Sequence, residues 1–439
     1  MDDSRRTKLF AVTGNPILHS RSPCLFNALF DRYSLDARYF SLAADSAPEA
    51  LGMFREIGLD GMNVTAPFKT DMAALMDSLD DAAACVGGVN TVLRVGSKLK
   101  GFNTDPDGVT GALRRRGIAM GGRECVVLGA GGAGRAAAFG LIREKASVTL
   151  VNRSDRRAAE AASSLGCRAA PLAALPSLLR GADILISALP PGIEIVREEW
   201  LPERIFLMDA NYVGSRLAET ARKTGHTFVD GEEWLLNQAL PAIHMLGGVR
   251  PSFPVLQEIL RSHTTPGGKK KNISLIGFMG SGKSTVGRKL AARMGFSFCD
   301  TDGLIEKRAG RSVEEIFGTE GEESFRKWEK AVLAELENRE RTVFACGGGA
   351  VLDPRNRETL RENSLVVWLC SSVETCLERI KKESRPLLDG GNREGKARKM
   401  FEKRLGAYAC AANLVVSGEK TAGQVARKVH EEIDRTFDD

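Results

Sequence analysis

Residues 277–284 read GFMGSGKS, the complete pattern of a Walker A phosphate loop. The apolar run at residues 273–276 predicts a buried strand before the loop, and apolar side chains recur at helical spacing over residues 286–294 after it. In this context, backbone N–H groups curl around phosphate oxygens at a helix N-terminus. Lys283 can then reach the β- and γ-phosphates, and the Ser284 hydroxyl can bind Mg²⁺. The alternative, a chance glycine-rich turn, would not carry these flanks.

The loop begins almost two-thirds along a chain of 439 residues, which leaves room for one or two further domains before it. No apolar run approaches the ~20 residues of a membrane span, and residues 1–6 lead into no secretory segment, so we expect a cytoplasmic protein without a membrane partner. The nine cysteines form no CxxC pair and indicate neither a zinc site nor a disulfide framework. The net charge of +6 suits small anionic ligands, but interleaved acids argue against nucleic acid.

Polar side chains follow several predicted strands in the first part of the chain. Ser20 and Ser22 stand before a predicted helix, where they could act as caps or bind the hydroxyl or carboxylate groups of a ligand. Lys69 and Asp105 each follow a later strand. Open α/β sheets bind ligands at the carboxyl ends of their strands, so we expect these side chains to line one site. Lys69 and Asp105 form a plausible acid–base pair, although Lys69 could instead be a solvated loop charge.

A second glycine-rich turn, GAGGAG at residues 129–134, stands between a predicted strand and an alanine-rich helix. In that context the GxGxxG pattern indicates a Rossmann-type dinucleotide site. A NAD-binding fold would carry an acid after the next strand, for the ribose 2′-hydroxyl. This chain has Asn152, Arg153 and Ser154 there, with Arg157 shortly after, and these groups suit a 2′-phosphate. The pattern therefore favours NADPH over NADH, and an ordinary basic loop is the alternative.

Residues from about 8 to 260 resemble shikimate dehydrogenase. The motifs that carry the resemblance are, in this order, GNPILHSRSP at 14–23, NVTAPFK at 63–69, NTD at 103–105, GAGGA at 129–133 and NRS at 152–154. The resemblance implies an N-terminal α/β substrate domain at residues 1–118. It also implies a Rossmann-type NADP-binding domain at residues 119–262, whose C-terminal helices close on the substrate domain.

The same resemblance implies roles for individual residues. Lys69 and Asp105 would carry the proton transfer, and Ser20 and Ser22 would bind the substrate carboxylate. The residues implied around the ring hydroxyls are Thr65, Asn90, Asp105, Tyr212 and Gln238. The cofactor-binding residues implied are Asp81, Gly129, Ala130, Gly131, Gly132, Ala133, Asn152, Arg153, Ser154, Arg157 and Gly231.

Residues 263–272 are basic and poor in apolar side chains, which predicts a flexible, solvated linker. Beyond the phosphate loop, Asp300 and Asp302 end a predicted strand on the same side of it. A GGG turn at residues 347–349 follows another predicted strand, and a polar stretch with RPLL at residues 385–388 could be a mobile lid.

Residues from about 272 to 435 resemble shikimate kinase, through these motifs in one order. By that resemblance Lys283 and Asp302 are catalytic, and Asp302 orients the accepting hydroxyl or acts as its base. Mg²⁺ would be bound by Ser284 directly and by Asp300 through water. The substrate-binding residues implied are Asp302, Arg326, Gly348 and Arg404. The nucleotide-binding residues implied are Gly280, Ser281, Gly282, Lys283, Ser284, Thr285 and the catalytic Arg385, which would close over the phosphates.

The sequence therefore predicts an α/β protein in which a P-loop kinase domain at residues 273–439 follows the two dehydrogenase domains. It would bind NADP(H), ATP and Mg²⁺, reduce 3-dehydroshikimate to shikimate, and phosphorylate shikimate to shikimate 3-phosphate. Its partners would be these small-molecule substrates. Two alternatives stay open: the first part could prefer quinate or NAD, or one part could be a silent module that regulates the other.

Overall fold

The computed structural model describes residues 7–190, 192–211, 214–262, 271–381, 388 and 392–437. Its strands are β1 (Lys8–Gly14), β2 (Ala37–Ala43), β3 (Gly61–Val64), β4 (Ser78–Leu79), β5 (Thr91–Val95), β6 (Lys98–Phe102), β7 (Glu124–Leu128), β8 (Ser147–Asn152), β9 (Arg168–Pro171), β10 (Ile184–Ser187), β11 (Phe206–Asp209), β12 (Phe228–Val229), β13 (Asn272–Ile276), β14 (Ser297–Asp300), β15 (Thr342–Ala345), β16 (Ser364–Cys370) and β17 (Leu414–Ser417).

Its α-helices are α1 (Ser22–Arg32), α2 (Ala47–Ile57), α3 (Lys69–Ala73), α4 (Asp81–Val86), α5 (Asp105–Arg115), α6 (Gly132–Arg143), α7 (Asp155–Leu165), α8 (Leu175–Leu179), α9 (Arg216–Thr224), α10 (Gly231–Gly247), α11 (Phe253–Ser262), α12 (Lys283–Met294), α13 (Thr301–Ala309), α14 (Val313–Thr319), α15 (Gly321–Leu333), α16 (Pro354–Asn363), α17 (Val373–Arg379), α18 (Arg393–Ala411) and α19 (Ala422–Phe437). Within the described ranges, no helix combines the length and the apolar character needed to cross a membrane.

The chain forms two compact units. The first unit comprises residues 1–62 and 259–439, and the second unit comprises residues 63–258. The domain limits predicted from the sequence, after residues 118, 262 and 272, are a different partition and stay a prediction.

The first unit contains a parallel sheet in the order β14-β15-β13-β16-β17-β2-β1. All seven side chains of β16, SLVVWLC, are buried. Such continuous apolar runs are expected of parallel strands that are covered on both faces. The N-terminal strands β1 and β2 therefore belong to the same sheet as the C-terminal strands β13–β17.

The elements predicted around the phosphate loop are present as β13 and α12, and two details differ from the sequence expectation. Asn272, which we placed in the linker, is the first residue of β13, where its side chain is buried and bonds the backbone of Arg339 and Thr342. Asp302, which we placed at a strand end, lies in the first turn of α13, because Asp300 both ends β14 and caps that helix. Residues 263–270 of the predicted linker lie outside the described residues.

The second unit contains a parallel sheet in the order β12-β11-β10-β7-β8-β9. Its strands alternate between two cores: Cys125 and Val127 of β7 pack in one cluster, and Val126 and Leu128 pack in another. Side chains of a strand point alternately to the two faces, so the sheet is covered on both. This is the doubly wound arrangement that the GxGxxG turn predicted.

Helices α5 and α10 of the second unit pack closely against each other. Gly108 of α5 permits this, because a Cβ there would overlap the indole ring of Trp234. The contact brings the N-terminus of α5, with Asp105, close to Gln238 of α10.

Candidate active sites

The first candidate site, called the Lys69 site, lies in the second unit and is centred on an ion pair. Lys69 Nζ lies 2.6 Å from Asp105 Oδ2. Lys69 is the first residue of α3, and Asp105 is the first residue of α5, where a carboxylate is stabilised by the helix dipole. Asp105 is only 8% exposed. The lysine predicted as a possible solvated loop charge is therefore held by a buried carboxylate.

Asn90 ties this ion pair to α10. Its side-chain amide donates to Asp105 Oδ1 at 3.0 Å and to the Thr104 hydroxyl at 2.9 Å, and its Oδ1 accepts the backbone N–H of Thr104 at 3.0 Å. Gln238 Oε1 lies 3.2 Å from both Asn90 Nδ2 and Thr104 Oγ1. Four residues predicted from the sequence, Lys69, Asn90, Asp105 and Gln238, thus form one network.

Three members of this network were not predicted, namely Thr104, Trp234 and Asn103. Trp234 Nε1 donates to the backbone oxygen of Asp105 at 3.0 Å, and Asn103 Oδ1 accepts the backbone N–H of Asp105 at 3.0 Å. Trp234 and Asn103 hold the start of α5 in place. The available signal was spacing, because Trp234 precedes Gln238 by one helical turn and shares its face.

The other predicted substrate residues are placed as follows. Thr65 is half-buried and directly follows β3, and its backbone oxygen accepts the N–H of Phe68 at 3.0 Å. Ser20 and Ser22 belong to the first unit, where both are half-buried. Arg21 is the N-cap of α1 and its side chain forms no capping bond, but the Ser20 hydroxyl accepts the backbone N–H of Ser22, the first residue of the helix, at 3.4 Å. The Ser22 side chain bonds the Tyr39 hydroxyl, whose pKa burial raises well above its usual range. Tyr212 lies outside the described residues.

The predicted dinucleotide site has the tight turn that a pyrophosphate requires. Gly129 has φ 104°, in the left-handed region, and a Cβ at Gly134 would clash with the Gly129 carbonyl. Helix α6 starts within this turn, at Gly132, and Gly131, Gly132 and Ala133 at its N-terminus are exposed. Exposed N–H groups at a helix N-terminus are an anion site, so the turn fits the diphosphate of a dinucleotide.

The basic segment after β8 offers two exposed guanidinium groups. Arg153 and Arg157 are exposed and form no ion pair with other residues that the structure describes, whereas Arg156 pairs with Glu160 at 2.8 Å. Ser154 caps α7 by accepting the N–H of Arg157, and the Asn152 amide donates to the Ser154 backbone. The segment fits a phosphate group held mainly by arginines.

The last two predicted cofactor residues begin helices. Gly231 starts α10, and a Cβ there would clash with the backbone at Ala210, which keeps this turn tight. Asp81 is exposed in the first turn of α4, next to the capping residue Asp80.

The second candidate site, called the Asp302 site, lies in the first unit beside the phosphate loop. Lys283 Nζ donates to the backbone oxygens of Gly277 at 3.0 Å and Phe278 at 2.9 Å, so the lysine lies across the mouth of the loop. Gly280 has φ 78°, and a Cβ there would clash with the Cys376 carbonyl. The other predicted loop residues are Ser281, which is buried, Gly282, which caps α12, and Thr285, which is exposed.

Oxygen ligands suited to Mg²⁺ meet next to this loop. The Ser284 hydroxyl donates to Asp300 Oδ2 at 2.6 Å. A hydroxyl and a carboxylate are ligands that Mg²⁺ accepts, with phosphate oxygens and water completing its coordination. These two residues therefore fit the ion that the sequence implies.

The Asp302 site contains a cavity of about 100 Å³. Four of its lining residues were predicted from the sequence, namely Asp302, Arg326, Gly348 and Arg404. Arg404 is 7% exposed and donates to the Gly348 carbonyl at 3.2 Å, which also accepts the Tyr408 hydroxyl at 2.6 Å. The glycine turn is needed here, because a Cβ at Gly347 would lie 2.7 Å from Asp302 Oδ1. Arg385 lies outside the described residues.

Glu329 is a further member of the Asp302 site that was not predicted. Its side chain is 1% exposed and lies 2.8 Å from Arg326 Nη1. Burial raises the pKa of Glu329 from 4.5 to about 7; Arg326 opposes the shift and Asp302 adds to it. The sequence signal was weak, since Glu329 follows Arg326 by three residues on a helix rich in such pairs.

Arg379 was also missed. It donates to the Gly418 backbone at 2.8 Å, and Nη1 lies 3.9 Å from where a Cβ of Gly282 would be. It is thus a cation at the edge of the phosphate loop, on α17.

Comparison with known proteins matches the last part of the chain to one enzyme family and the first part to another. The shikimate kinase family model matches residues 279–434. The model of the shikimate dehydrogenase substrate-binding domain matches residues 12–92, and that of shikimate/quinate 5-dehydrogenase matches residues 112–209.

Curated relatives divide in the same way. A shikimate dehydrogenase (NADP(+)) of Syntrophobacter fumaroxidans is 36% identical over 278 residues, which cover 61% of this chain and 97% of the relative. A shikimate kinase of Moorella thermoacetica is 47% identical over 161 residues, which cover 36% of this chain and 92% of the relative.

A solved structure supports the dehydrogenase match. The shikimate 5-dehydrogenase of Thermus thermophilus, in complex with NADP(H) and shikimate, aligns with a TM-score of 0.53 at 32% identity. The alignment covers 58% of this chain and 99% of that protein. The predicted fold class is confirmed, and the chain belongs to the shikimate dehydrogenase family over its first part and to the shikimate kinase family over its last part, as a fusion of the two.

Proposed function

We propose that the chain reduces 3-dehydroshikimate to shikimate with NADPH at the Lys69 site and phosphorylates shikimate with ATP and Mg²⁺ at the Asp302 site. The observation that carries this proposal is that each part of the fusion has its own reactive group in place. Lys69 lies 2.6 Å from the Asp105 carboxylate, and Asp302 shares a cavity with Arg326 and Arg404 beside the phosphate loop.

At the Lys69 site, NADPH would supply the hydride for the ketone carbon. The ammonium of Lys69 donates the proton that the ketone oxygen needs as it becomes a hydroxyl. Asp105 holds Lys69 in position through the ion pair, and Asn90 orients Asp105. Gln238 and Thr65 offer polar groups to the ring hydroxyls, as does Tyr212 by resemblance.

Ser20 and Ser22 would bind the substrate carboxylate through their hydroxyls. This assignment rests on the family resemblance and on the half-buried position of both side chains at the start of α1.

The NADPH phosphates would be held at two places. The turn at residues 129–134 and the start of α6 bind the diphosphate through backbone N–H groups. Arg153 and Arg157 bind the 2′-phosphate, with Asn152 and Ser154 beside them.

At the Asp302 site, Mg²⁺–ATP would supply the phosphoryl group. Asp302 orients the shikimate hydroxyl and accepts its proton, and Arg326 and Arg404 bind the shikimate carboxylate. Lys283 neutralises charge on the transferring phosphate, and Arg379 adds a cation at the edge of the loop. Arg385 stays a prediction for the same role.

The test is mass spectrometry of the products that purified protein forms from 3-dehydroshikimate with NADPH, ATP and Mg²⁺, with each cofactor also supplied alone. We expect shikimate with NADPH alone and shikimate 3-phosphate only with both. Shikimate that accumulates without phosphorylation, or added shikimate that is phosphorylated while no ketone is reduced, would instead indicate that one part is silent and regulatory. Rates with quinate and NAD⁺ decide the remaining alternative for the first part.

A further inference from the structure

The two parts of the fusion share one sheet within the first unit. Strand β17, from the kinase part, pairs in parallel with β2, from the dehydrogenase part, with Leu414 opposite Ser41 and Val416 opposite Ala43. Phe40 of β2 also packs edge-on against Trp368 of β16, with ring centroids 6.3 Å apart. The backbone groups along this side of β2 are thereby hydrogen-bonded to the kinase part of the same chain and do not form an open sheet edge.

Charged side chains join the same two parts beside the sheet. Lys420, which follows β17, lies 2.6 Å from Asp45 and 2.8 Å from Glu49 at the start of α2. Lys428 of α19 lies 3.2 Å from Asp45 as well. The interface therefore combines backbone pairing, apolar packing and ion pairs, and is more than a tether.

Helix α19 also reaches the segment that leads to the two substrate serines. Glu432 Oε2 accepts the backbone N–H groups of Ile17 at 2.7 Å and Leu18 at 3.1 Å. Lys428 Nζ donates to Asn15 Oδ1 and to the Ala44 carbonyl, both at 3.0 Å. Ile17 and Leu18 come after the end of β1, so their backbone N–H groups form no hydrogen bonds within the sheet and need other acceptors.

Burial distinguishes this pair of charges from its neighbours on the same helix. Lys428 is 5% exposed and Glu432 is 1% exposed, with 3.2 Å between their charged groups. Arg427 and Glu431, one residue earlier, have the same spacing but side chains 55% and 44% exposed. Burying a charge is unfavourable unless it is paired and hydrogen-bonded. Here Glu432 and Lys428 pair with each other, and both bond residues of the dehydrogenase part.

We propose that Lys428 and Glu432 are positioning residues for the dehydrogenase: the C-terminal helix of the kinase fixes residues 15–18 and, through them, Ser20 and Ser22. This inference rests on the proposed role of the two serines. Glu432 supplies a charge-assisted acceptor to two buried N–H groups, which is a strong interaction. Without it, the loop loses its fixed path into α1, and the serines no longer meet the shikimate carboxylate in one geometry.

The test uses the full chain and measures shikimate oxidation by NADP⁺ in Glu432→Gln, Glu432→Ala and Lys428→Met. A charge-assisted hydrogen bond changes an equilibrium constant by about tenfold, here that of holding residues 15–18 in place. We therefore expect the KM for shikimate to rise about tenfold in Glu432→Ala and about threefold in Glu432→Gln. The kcat and the KM for NADP⁺ should change less than about twofold, because Lys69 and the dinucleotide turn are untouched. Glu432→Gln keeps the side-chain length and one acceptor, so it decides the question if Glu432→Ala does not fold.

The matched controls are Arg427→Met and Glu431→Gln, which remove charges from the same helix at exposed positions. We expect both to keep the wild-type KM for shikimate. An equal rise in the controls, or a fall of kcat with unchanged KM in the Glu432 variants, would overturn the positioning role.

Ser20→Ala/Ser22→Ala separates this inference from the proposed function. A raised KM for shikimate in that variant, together with an unchanged KM in Glu432→Gln, overturns the positioning role and leaves the serine assignment intact. An unchanged KM in the serine variant overturns the serine assignment, and the inference falls with it.

Discussion

The two candidate sites hold charge in different ways. At the Lys69 site, one ammonium faces one carboxylate, and each oxygen of Asp105 has its own donor, Lys69 on Oδ2 and Asn90 on Oδ1. At the Asp302 site, two carboxylates and two arginines line a cavity of about 100 Å³, and burial raises the pKa of Glu329 to about 7.

The difference follows from the charged groups that each reaction transfers or binds. Ketone reduction adds a hydride and a proton, so the Lys69 site needs one proton donor fixed in place. Phosphoryl transfer brings a polyphosphate and a carboxylate substrate together, so the Asp302 site needs several cations. The ionisation of Glu329 then decides how far Arg326 is available to the substrate. Removing one group from the Lys69 site should thus lower dehydrogenase turnover strongly. Kinase activity at the Asp302 site should depend on several groups and on pH.

Replacing Lys69 by Ala tests the single-donor site and has the largest expected effect. Loss of the proton donor should lower dehydrogenase turnover by roughly 10²–10⁴-fold, about 3–5 kcal/mol in the barrier. Shikimate phosphorylation by the same preparation serves as the control and should keep its wild-type rate. A fully active reductase, or a kinase that is lost in parallel, would contradict two separate sites.

Replacing Asp302 by Asn is the converse test. The hydroxyl of shikimate would lose its acceptor and its orientation, so kinase turnover should fall by about a hundredfold. Oxidation of NADPH by 3-dehydroshikimate should be unchanged, and both rates can be followed in one coupled assay. If phosphorylation continued at more than half the wild-type rate, Asp302 would not be the residue that orients the hydroxyl.

Two kinds of feature in these sites were predictable, namely local glycine-rich turns and side chains that follow strands of one sheet. The phosphate loop and the turn at residues 129–134 impose strained glycine conformations locally, so their patterns alone predict their structure. Lys69 and Asp105 are 36 residues apart, and their meeting was predicted because parallel strands end at one edge of a sheet.

What was not predictable is which charged side chains are buried. On α15, Arg326 pairs with both Glu322 and Glu329, yet the Glu322 side chain is 52% exposed and that of Glu329 is 1% exposed. On α19, the pair Lys428 and Glu432 has the same spacing as an exposed neighbouring pair. Helical spacing is nearly the same within each comparison, and only the elements packed against the helix decide the outcome.

A third prediction concerns the phosphates, which both sites would hold with backbone N–H groups and cations. At the dinucleotide site, Arg153 is the cation proposed for the 2′-phosphate. Arg153→Ala should lower the preference for NADPH over NADH by about tenfold, as expected for one charge-assisted bond to a phosphate. Arg156→Ala is the matched control, because Arg156 is already paired with Glu160. The kcat/KM ratio of the two cofactors is measured in each variant, and an unchanged ratio in Arg153→Ala would remove the 2′-phosphate assignment.

The smallest effect expected is a pH dependence at the Asp302 site. The fold raises the pKa of Glu329 from 4.5 to about 7, so the folded chain binds this proton more tightly than the unfolded chain does. Its contribution to the free energy of unfolding is therefore complete below about pH 4.5 and is lost as the pH rises through about 7.

The same titration should be visible in substrate binding. As Glu329 ionises, its carboxylate competes with the shikimate carboxylate for Arg326, so the kinase KM for shikimate should rise about threefold between roughly pH 6 and pH 8. Glu329→Gln keeps the size of the side chain without its charge, so this variant should lose that rise. Glu322→Gln removes the exposed partner of Arg326 and should keep it. The same pH profile in Glu329→Gln as in the wild type would mean that the buried carboxyl does not compete with the substrate for Arg326.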